Sequence, residues 1–478
     1  MNEKWFLQTK KADFNGIAKK YNISPITARL MRNRDVVSEK EIEQYLNGTI
    51  NEISSPWLFK DMDKAVNILS IKINNESKIR IICDYDVDGI CSGYILHTCL
   101  KYLGADVDVV VPHRIEDGYG INERLIQQAY DQGVDTIVTC DNGIAAIKQI
   151  EYAKELGMTV VVTDHHEVVF EENNGKKEYI LPMADAIVNH KQKDCQYPFK
   201  ELCGAMVAFQ FMRALFENMH VSERFILKLL PYGAMATVCD VVELKGENRI
   251  IVKEGLEALK TSNDIGINAL INQCKLNKKN LDSYHFGFVL GPCLNASGRL
   301  DTAKKAMDLL ECEDEKHAEV LAGALKKLND ERKDLTEKGT KEAIEKAEQL
   351  DDSVLVIYLE HCHESIAGII AGRVREKYNK PTIVLTDAVE GVKGSGRSIE
   401  EYDMYAELTK VKELFTKFGG HKMAAGVSLQ KENIDILRKK LNENCNLTQE
   451  DLYLKVWIDM QLPLEYVTMN MINMGVVQ

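Results

Sequence analysis

Acidic residues and histidines recur at four separated places in this sequence, each after a short apolar run. The run 79–83 leads into Asp84-Tyr85-Asp86-Val87-Asp88-Gly89. Thr139-Cys140 leads into Asp141-Asn142-Gly143, residues 160–162 into Thr163-Asp164-His165-His166, and residues 236–239 into Asp240. Asp84 and Asp86 are alternate residues of an extended turn and can point the same way, while Gly89 lets that turn close before a helix. Taken singly, an Asp at a strand end is usually a turn former or a helix cap. The set carries more weight, because a parallel sheet would gather all four places at one edge. Carboxylates packed that closely without a cation would repel one another prohibitively. Mixed Asp and His donors suit Mn²⁺ or Mg²⁺, since carboxylate oxygen prefers hard ions and imidazole tolerates the transition ion. Two such ions about 3.5–4 Å apart can activate water and brace the leaving oxygen of a phosphodiester. The chemistry expected is metal-dependent phosphoester hydrolysis.

The elements needed to position these groups are legible. Strands are expected at 79–83, 107–111, 134–140, 158–163 and 186–189, with helices at 92–103, 122–132 and 144–156 between them. This alternation predicts a doubly wound parallel sheet, whose ligands sit beyond the carboxyl ends of the strands. Residues 1–75 read as a helical segment of mixed charge, with Trp57 as an anchor after Pro56. Residues 273–352 are mostly helical and charged, and 315–350 fit one or two long helices. A second, smaller α/β pattern follows, with strands at 353–359, 381–385 and 426–429 and a helix at 365–378. Two Gly-rich turns are expected there, at 394–398 and 419–420, and a further strand at 453–459. The division expected is 1–75, 76–260, 261–352 (a helical connector), 353–445 and 446–478.

Composition narrows the classes. The chain has 478 residues, 45% of them hydrophobic and 28% charged, which suits several packed soluble domains. No apolar run approaches the roughly 20 residues of a membrane span, and the first residues lack the apolar core of a signal peptide. Twelve cysteines are scattered singly, without a C-x-x-C pair, which suggests a reduced, cytoplasmic chain. A net charge of −13 argues against a nonspecific nucleic-acid coat, but it leaves room for a local basic groove on an acidic body.

The four places together, in order and spacing, resemble the motifs of the DHH phosphoesterase superfamily. Further segments are similar to its RecJ-type branch of single-strand DNA exonucleases: Pro112-His113-Arg114 with Gly118-Tyr119-Gly120, Asn295-Ala296-Ser297-Gly298-Arg299, Gly394-Ser395-Gly396-Arg397-Ser398, and Phe418-Gly419-Gly420-His421. His363, five residues before Gly368, also matches a family position. The resemblance spans nearly the whole chain. It implies a DHH domain, a helical connector and a DHH-associated domain, with Mn²⁺ or Mg²⁺ as cofactor, two ions in all. Asp84, Asp86, Asp141, His165 and Asp240 would be metal ligands, Asp141 bridging. His166 would face the scissile phosphate and Asp164 would orient His165. Arg114, Ser395 and Arg397 would clasp a 5′-terminal phosphate, and Tyr119 would stack on a base. Arg299 and His421, with Gly419 and Gly420, would hold phosphates around the cut.

Two departures from the family pattern are expected to matter. Some branches carry a ligand His just before the first Asp, where this chain has Arg80, Ile81, Ile82 and Cys83. One ion would then have fewer protein ligands and more water. Relatives also continue into an OB-fold, which is expected here to be absent or truncated within 446–478. The activity expected is 5′-to-3′ hydrolysis of single-stranded DNA in repair and recombination, with a helicase or single-strand-binding protein as a further partner. Hydrolysis of short oligonucleotides or cyclic dinucleotides is the second enzymatic reading. A non-catalytic nucleic-acid-binding protein is a third, against which stands the full set of motif Asp and His residues.

Overall fold

The structure, a computed structural model, describes residues 3–173 and 176–469. It divides into two compact units, one of residues 43–330 and one of residues 1–42 with 331–478. The tail 470–478 of the last expected region lies outside the described residues.

The unit 43–330 is built on a parallel five-stranded sheet. Its strands are β2 (Ile79–Cys83), β3 (Val107–Val110), β4 (Thr136–Cys140), β5 (Thr159–Thr163) and β8 (Ala186–Val188), after β1 (Glu3–Leu7) of the other unit. The spatial order is β3-β2-β4-β5-β8, with a small antiparallel hairpin of β6 (Phe170–Asn173) and β7 (Lys176–Tyr179) outside it. Alternation within the strands sends residues to two cores. Ile79, Ile81 and Cys83 of β2, with Val138, Val161 and Val188, pack against helices Met62–Asn74, Val87–Tyr102 and Gly204–Asn218. Ile82, Ile137, Val160 and Val162 face the other way, onto Glu123–Asp131 and Ile147–Glu155. Both faces are therefore covered, which is why the strands read as continuous apolar runs.

The other unit contains β9 (Leu355–Tyr358), β10 (Thr382–Asp387), β11 (Val392–Arg397), β12 (Phe415–His421) and β13 (Ala424–Leu429), in the order β12-β13-β11-β10-β9. Only β9 and β10 are parallel. The helix Glu364–Tyr378 packs on one face with Ile357 and Val384, and Ile434–Glu443 lies on the other with Val356 and Ile383. The charged stretch after 314 is one helix, Glu315–Ala347.

Two expectations are corrected. Residues 394–397 of the first Gly-rich segment and the pair 419–420 lie in strands β11 and β12, not in turns. Glycine serves there as a spacer: a Cβ on Gly394 would fall 2.4 Å from the Val384 carbonyl oxygen on the neighbouring strand. The segment 1–75 is not uniformly helical. It opens with β1, which pairs in parallel with β14 (Leu454–Ile458), and Phe6 meets Trp457 at a ring separation of 5.0 Å. That partner lies some 450 residues away, so local periodicity could not reveal the pairing.

Candidate metal centre

The sheet delivers its acids at the carboxyl ends of three adjacent strands. Asp84 follows β2, Asp141 follows β4 and Asp164 follows β5, all buried. Registered pairing of Cys83 with Cys140, and of Cys140 with Thr163, sets these three positions side by side. Asp86 caps the helix Val87–Tyr102, accepting from the N–H groups of Asp88 (2.9 Å) and Gly89 (3.1 Å). Asp88, in the first turn, accepts from the N–H groups of Gly204 (2.6 Å) and Ala205 (2.7 Å), at the positive end of Gly204–Asn218. Gly204 must lack a side chain, because its Cβ would lie 2.8 Å from Asp141. Asp240 arrives from elsewhere, as the C-cap of the helix Leu230–Cys239.

His165 sits at the middle of this cluster. Its Nε2 lies 3.1 Å from Asp141 Oδ1 and 3.6 Å from Asp88 Oδ2, and its Nδ1 lies 3.8 Å from Asp240 Oδ2. Three groups of donor atoms converge closely enough to share an ion: Asp84, Asp86 and Asp141; Asp141, His165 and His166; and Asp88, His165 and Asp240. Asp141 and His165 each belong to two of the groups. Asp84 Oδ1 and Asp141 Oδ1 are sealed from solvent and accept no hydrogen bond among the described residues.

The electrostatics describe a site short of positive charge. Burial first, then Asp86, pushes Asp84 up to about 8, and burial with Asp88 and Asp86 pushes Asp240 up to about 8. Asp141 is raised well above the carboxylate range by burial and four neighbouring aspartates. Burial lowers His165, so that its imidazole is neutral and has a lone pair to give. A divalent cation reverses each of these penalties. Unpartnered carboxylate oxygens, a neutral imidazole and hard donors fit Mn²⁺ or Mg²⁺.

Residues 78–234 match the DHH family, N-terminal domain, and residues 351–447 match the DHHA1 domain. The single-stranded-DNA-specific exonuclease RecJ of Escherichia coli is 35% identical over 444 residues, covering 88% of this chain and 74% of that protein. The chain belongs to the RecJ family. RecJ of Bacillus subtilis is 35% identical over 476 residues, of which this chain spans 59% of the length. A crystal structure of an exonuclease RecJ bound to manganese has a TM-score of 0.71 and 28% identity, covering 82% of this chain and 96% of that one.

In this RecJ-family chain the pairing of Asp164 differs from expectation. Its Oδ1 accepts from Nδ1 of His166 at 2.8 Å and only from the backbone N–H of His165, at 2.7 Å. The carboxylate therefore orients the second histidine, whose ring lies 4.4 Å from that of His165. Burial opposes the charge on Asp164, but His166 and the Ile144 N–H outweigh it and hold the carboxyl below its usual range. Asp164 in turn raises His166 to about 9 against the effect of burial. A carboxylate only accepts, so Nδ1 of His166 carries the proton and Nε2 is the ring nitrogen left for other partners.

The remaining expected residues fall into two places. Beside the centre, the Arg114 guanidinium lies over the Tyr85 ring at 4.6 Å, and Arg299 ends the helix Gly291–Leu300. The Tyr119 hydroxyl donates to the Asp141 carbonyl at 2.8 Å, while its ring remains half exposed. In the other unit, Ser395 and Arg397 converge over the helix Glu364–Tyr378. A Cβ on Gly368 there would lie 2.9 Å from Arg397 Nη2 and 3.2 Å from Ser395 Oγ. Gly419, Gly420 and His421 lie along β12, with Gly420 at φ +154°. His363 caps the helix Glu364–Tyr378.

Several contributors had no role assigned from the sequence. Asp88 reads there as an ordinary acidic first-turn residue. Asn142 ties strands together by donating to the carbonyls of Ile82 and Cys140. Asn295 accepts from the Val87 N–H at 3.1 Å, and Gly298 fits against the Tyr85 carbonyl, so their segment clasps the first acidic turn. Only the Asn295 to Arg299 resemblance signalled that clasp.

Proposed function

We propose that this chain is a two-metal exonuclease that hydrolyses single-stranded DNA from a 5′ end, using Mn²⁺ or Mg²⁺, in DNA repair and recombination. The observation that carries this reading is the sealed pair of unpartnered oxygens on Asp84 and Asp141, inside a cluster whose carboxyls are forced up by burial and then by one another. Its support includes the single-stranded-DNA-specific exonuclease activity of the RecJ relatives and the manganese-bound RecJ structure.

Asp84, Asp86, Asp141, His165 and Asp240 would hold the ions, with Asp141 shared, and Asp88 completes the ring of acids around His165. Bound there, the ions would activate water and stabilise charge on the displaced oxygen. The chain's own residues do the rest. Asp164 fixes the His166 ring so that Nε2 can donate to a phosphate oxygen while the residue is protonated. Arg299, in the unit of the metal centre, and His421, in the other unit, are each proposed to hold a phosphate of the strand. Ser395 and Arg397 would recognise a terminal 5′-phosphate, since a guanidinium beside a hydroxyl suits two of its oxygens. Arg114 would add charge on the metal side, and Tyr119 presents a ring face to a base. A helicase or single-strand-binding protein is proposed to supply the strand. A cytoplasmic setting accords with twelve free cysteines. No helix among the described residues is long and apolar enough to cross a membrane.

The test is digestion of 5′-phosphorylated strands, DNA and RNA, single and duplex, with Mn²⁺, Mg²⁺ or chelator. Stepwise release of mononucleotides from single-stranded DNA, only with metal, is expected. Activity confined to dinucleotides or cyclic dinucleotides would overturn the assignment.

A further inference from the structure

Directly after Asp240 the chain does something costly. Val241 takes φ +59° and is 86% exposed, a left-handed conformation that β-branched residues rarely adopt. Behind it, the helix Leu230–Cys239 is held from outside by a wide turn, the π-helix Phe286–Leu290. Cys239 Sγ donates to the Phe286 carbonyl at 3.5 Å. Gly287 and Gly291 allow the close fit, since their Cβ atoms would lie 3.3 Å from Val238 and 2.3 Å from Cys239 Sγ. The π-turn thus rests on the two residues that precede Asp240, and such turns concentrate at functional sites.

From this turn two rings stand in solvent. Tyr284 is 60% exposed and Phe288 67%, yet they stack with centroids 5.0 Å apart and planes 21° from parallel. Asp282 and His285 fix the base of the turn as a reciprocal cap: the Asp282 carboxylate accepts from the His285 N–H (3.2 Å), and the Asp282 N–H donates to His285 Nδ1 (3.2 Å). The preceding stretch carries Lys275, Lys278 and Lys279, with Lys275 and Lys279 exposed.

We propose that Tyr284 and Phe288 form a nucleobase-stacking platform that holds a single strand beside the metal centre. The inference rests on the reading of the site as a nuclease and adds where the bases go. Exposed aromatic faces suit an unpaired strand, because every base offers a π-face, and the lysines that precede them in the chain suit its negatively charged linkages. Stacking on the uncharged faces of the bases adds grip that does not depend on the balance of charge around the neighbouring carboxylates.

Binding of a labelled oligothymidylate and of an equally long abasic strand, measured by fluorescence anisotropy with the full chain, tests this. The wild type should prefer the base-bearing strand. Tyr284→Ala/Phe288→Ala should bind oligothymidylate about tenfold or more weakly and lose that preference, given the usual strength of base–aromatic stacking. Tyr284→Phe/Phe288→Tyr, which keeps both rings, should retain it and so separates stacking from misfolding. An alanine pair that discriminates like the wild type, or a wild type without preference, overturns the platform. So does a concentration-dependent rise in mass by light scattering that the alanine pair abolishes, which would make the rings a contact between copies. Failure of the nuclease reading registers differently, as a strand bound with preference for bases yet uncleaved with either metal.

Discussion

Replacing Asp84 with Asn should stabilise the metal-free protein at alkaline pH and destabilise it relative to wild type once Mn²⁺ is present. Asp84 is buried, and burial with Asp86 moves its carboxyl up to about 8. A folded-state value above the unfolded one near 4 means that the contribution of Asp84 is intact below about pH 4 and is lost as pH rises through about 8. Moving a carboxyl across that interval corresponds to a ceiling on the order of 5 kcal/mol. Its neighbours share the proton and water can enter, so about 1–3 kcal/mol is the expected effect. For a unit of this size that is about 3–8 °C in Tm. The amide mimics the protonated acid, so in chelator the variant should match wild type at about pH 4.5 and melt later at about pH 8.5. Saturating Mn²⁺, at about a hundred times its Kd, adds roughly 2.7 kcal/mol to wild type and should add much less to the variant. Differential scanning fluorimetry at both pH values, with and without metal, reads all four conditions. A variant no more stable than wild type at the alkaline pH in chelator would refute the claim that burial and like-charge crowding prepare the site for cations.

Asp141→Ala should abolish hydrolysis while circular dichroism stays native, since it removes the carboxylate common to two donor groups; near wild-type turnover with Mn²⁺ would contradict that shared role. Asp164→Asn exchanges an acceptor for a donor in a buried position that receives four hydrogen bonds. It should cost about 1.5–3 kcal/mol of stability by chemical denaturation and lower kcat more than it raises KM. Arg397→Ala should reduce use of 5′-phosphorylated strands by about tenfold to over a hundredfold while sparing 5′-hydroxyl strands. Gly368→Ala should reproduce part of that selective loss by displacing the guanidinium, and an equal loss on both substrates would assign Arg397 to the fold instead.

How much of this was legible in the sequence follows from how local each determinant is. The parallel sheet was readable because β2, β4 and β5 are buried on both faces, so their apolar runs are uninterrupted and each ends at an acid. Asp84, Asp141 and Asp164 then follow from strand order alone, and His165 and His166 are carried along beside Asp164. Asp240 reaches the cluster from a helix end; its place after the apolar run 236–239 marked it as a candidate, and its role as a ligand came through the resemblance. The exchange of roles at Asp164 was invisible because neighbouring histidines differ only in which side of a turn they leave. Glycine misled at 394 and 420 for a different physical reason. The same missing side chain that permits a turn also permits two strands to close on a neighbouring carbonyl, and the sequence records only the omission. Asp88 shows a related ambiguity: an acid in a first helical turn looks like a response to its own helix, yet this one spends both oxygens on the N-terminus of another. That second helix, by answering Asp88 and pressing Gly204 against Asp141, makes the spacing of the carboxylates a property of helix packing as well as of the sheet. A change at Gly204 should therefore perturb metal affinity as a ligand substitution would, although its residue type advertises no chemistry at all.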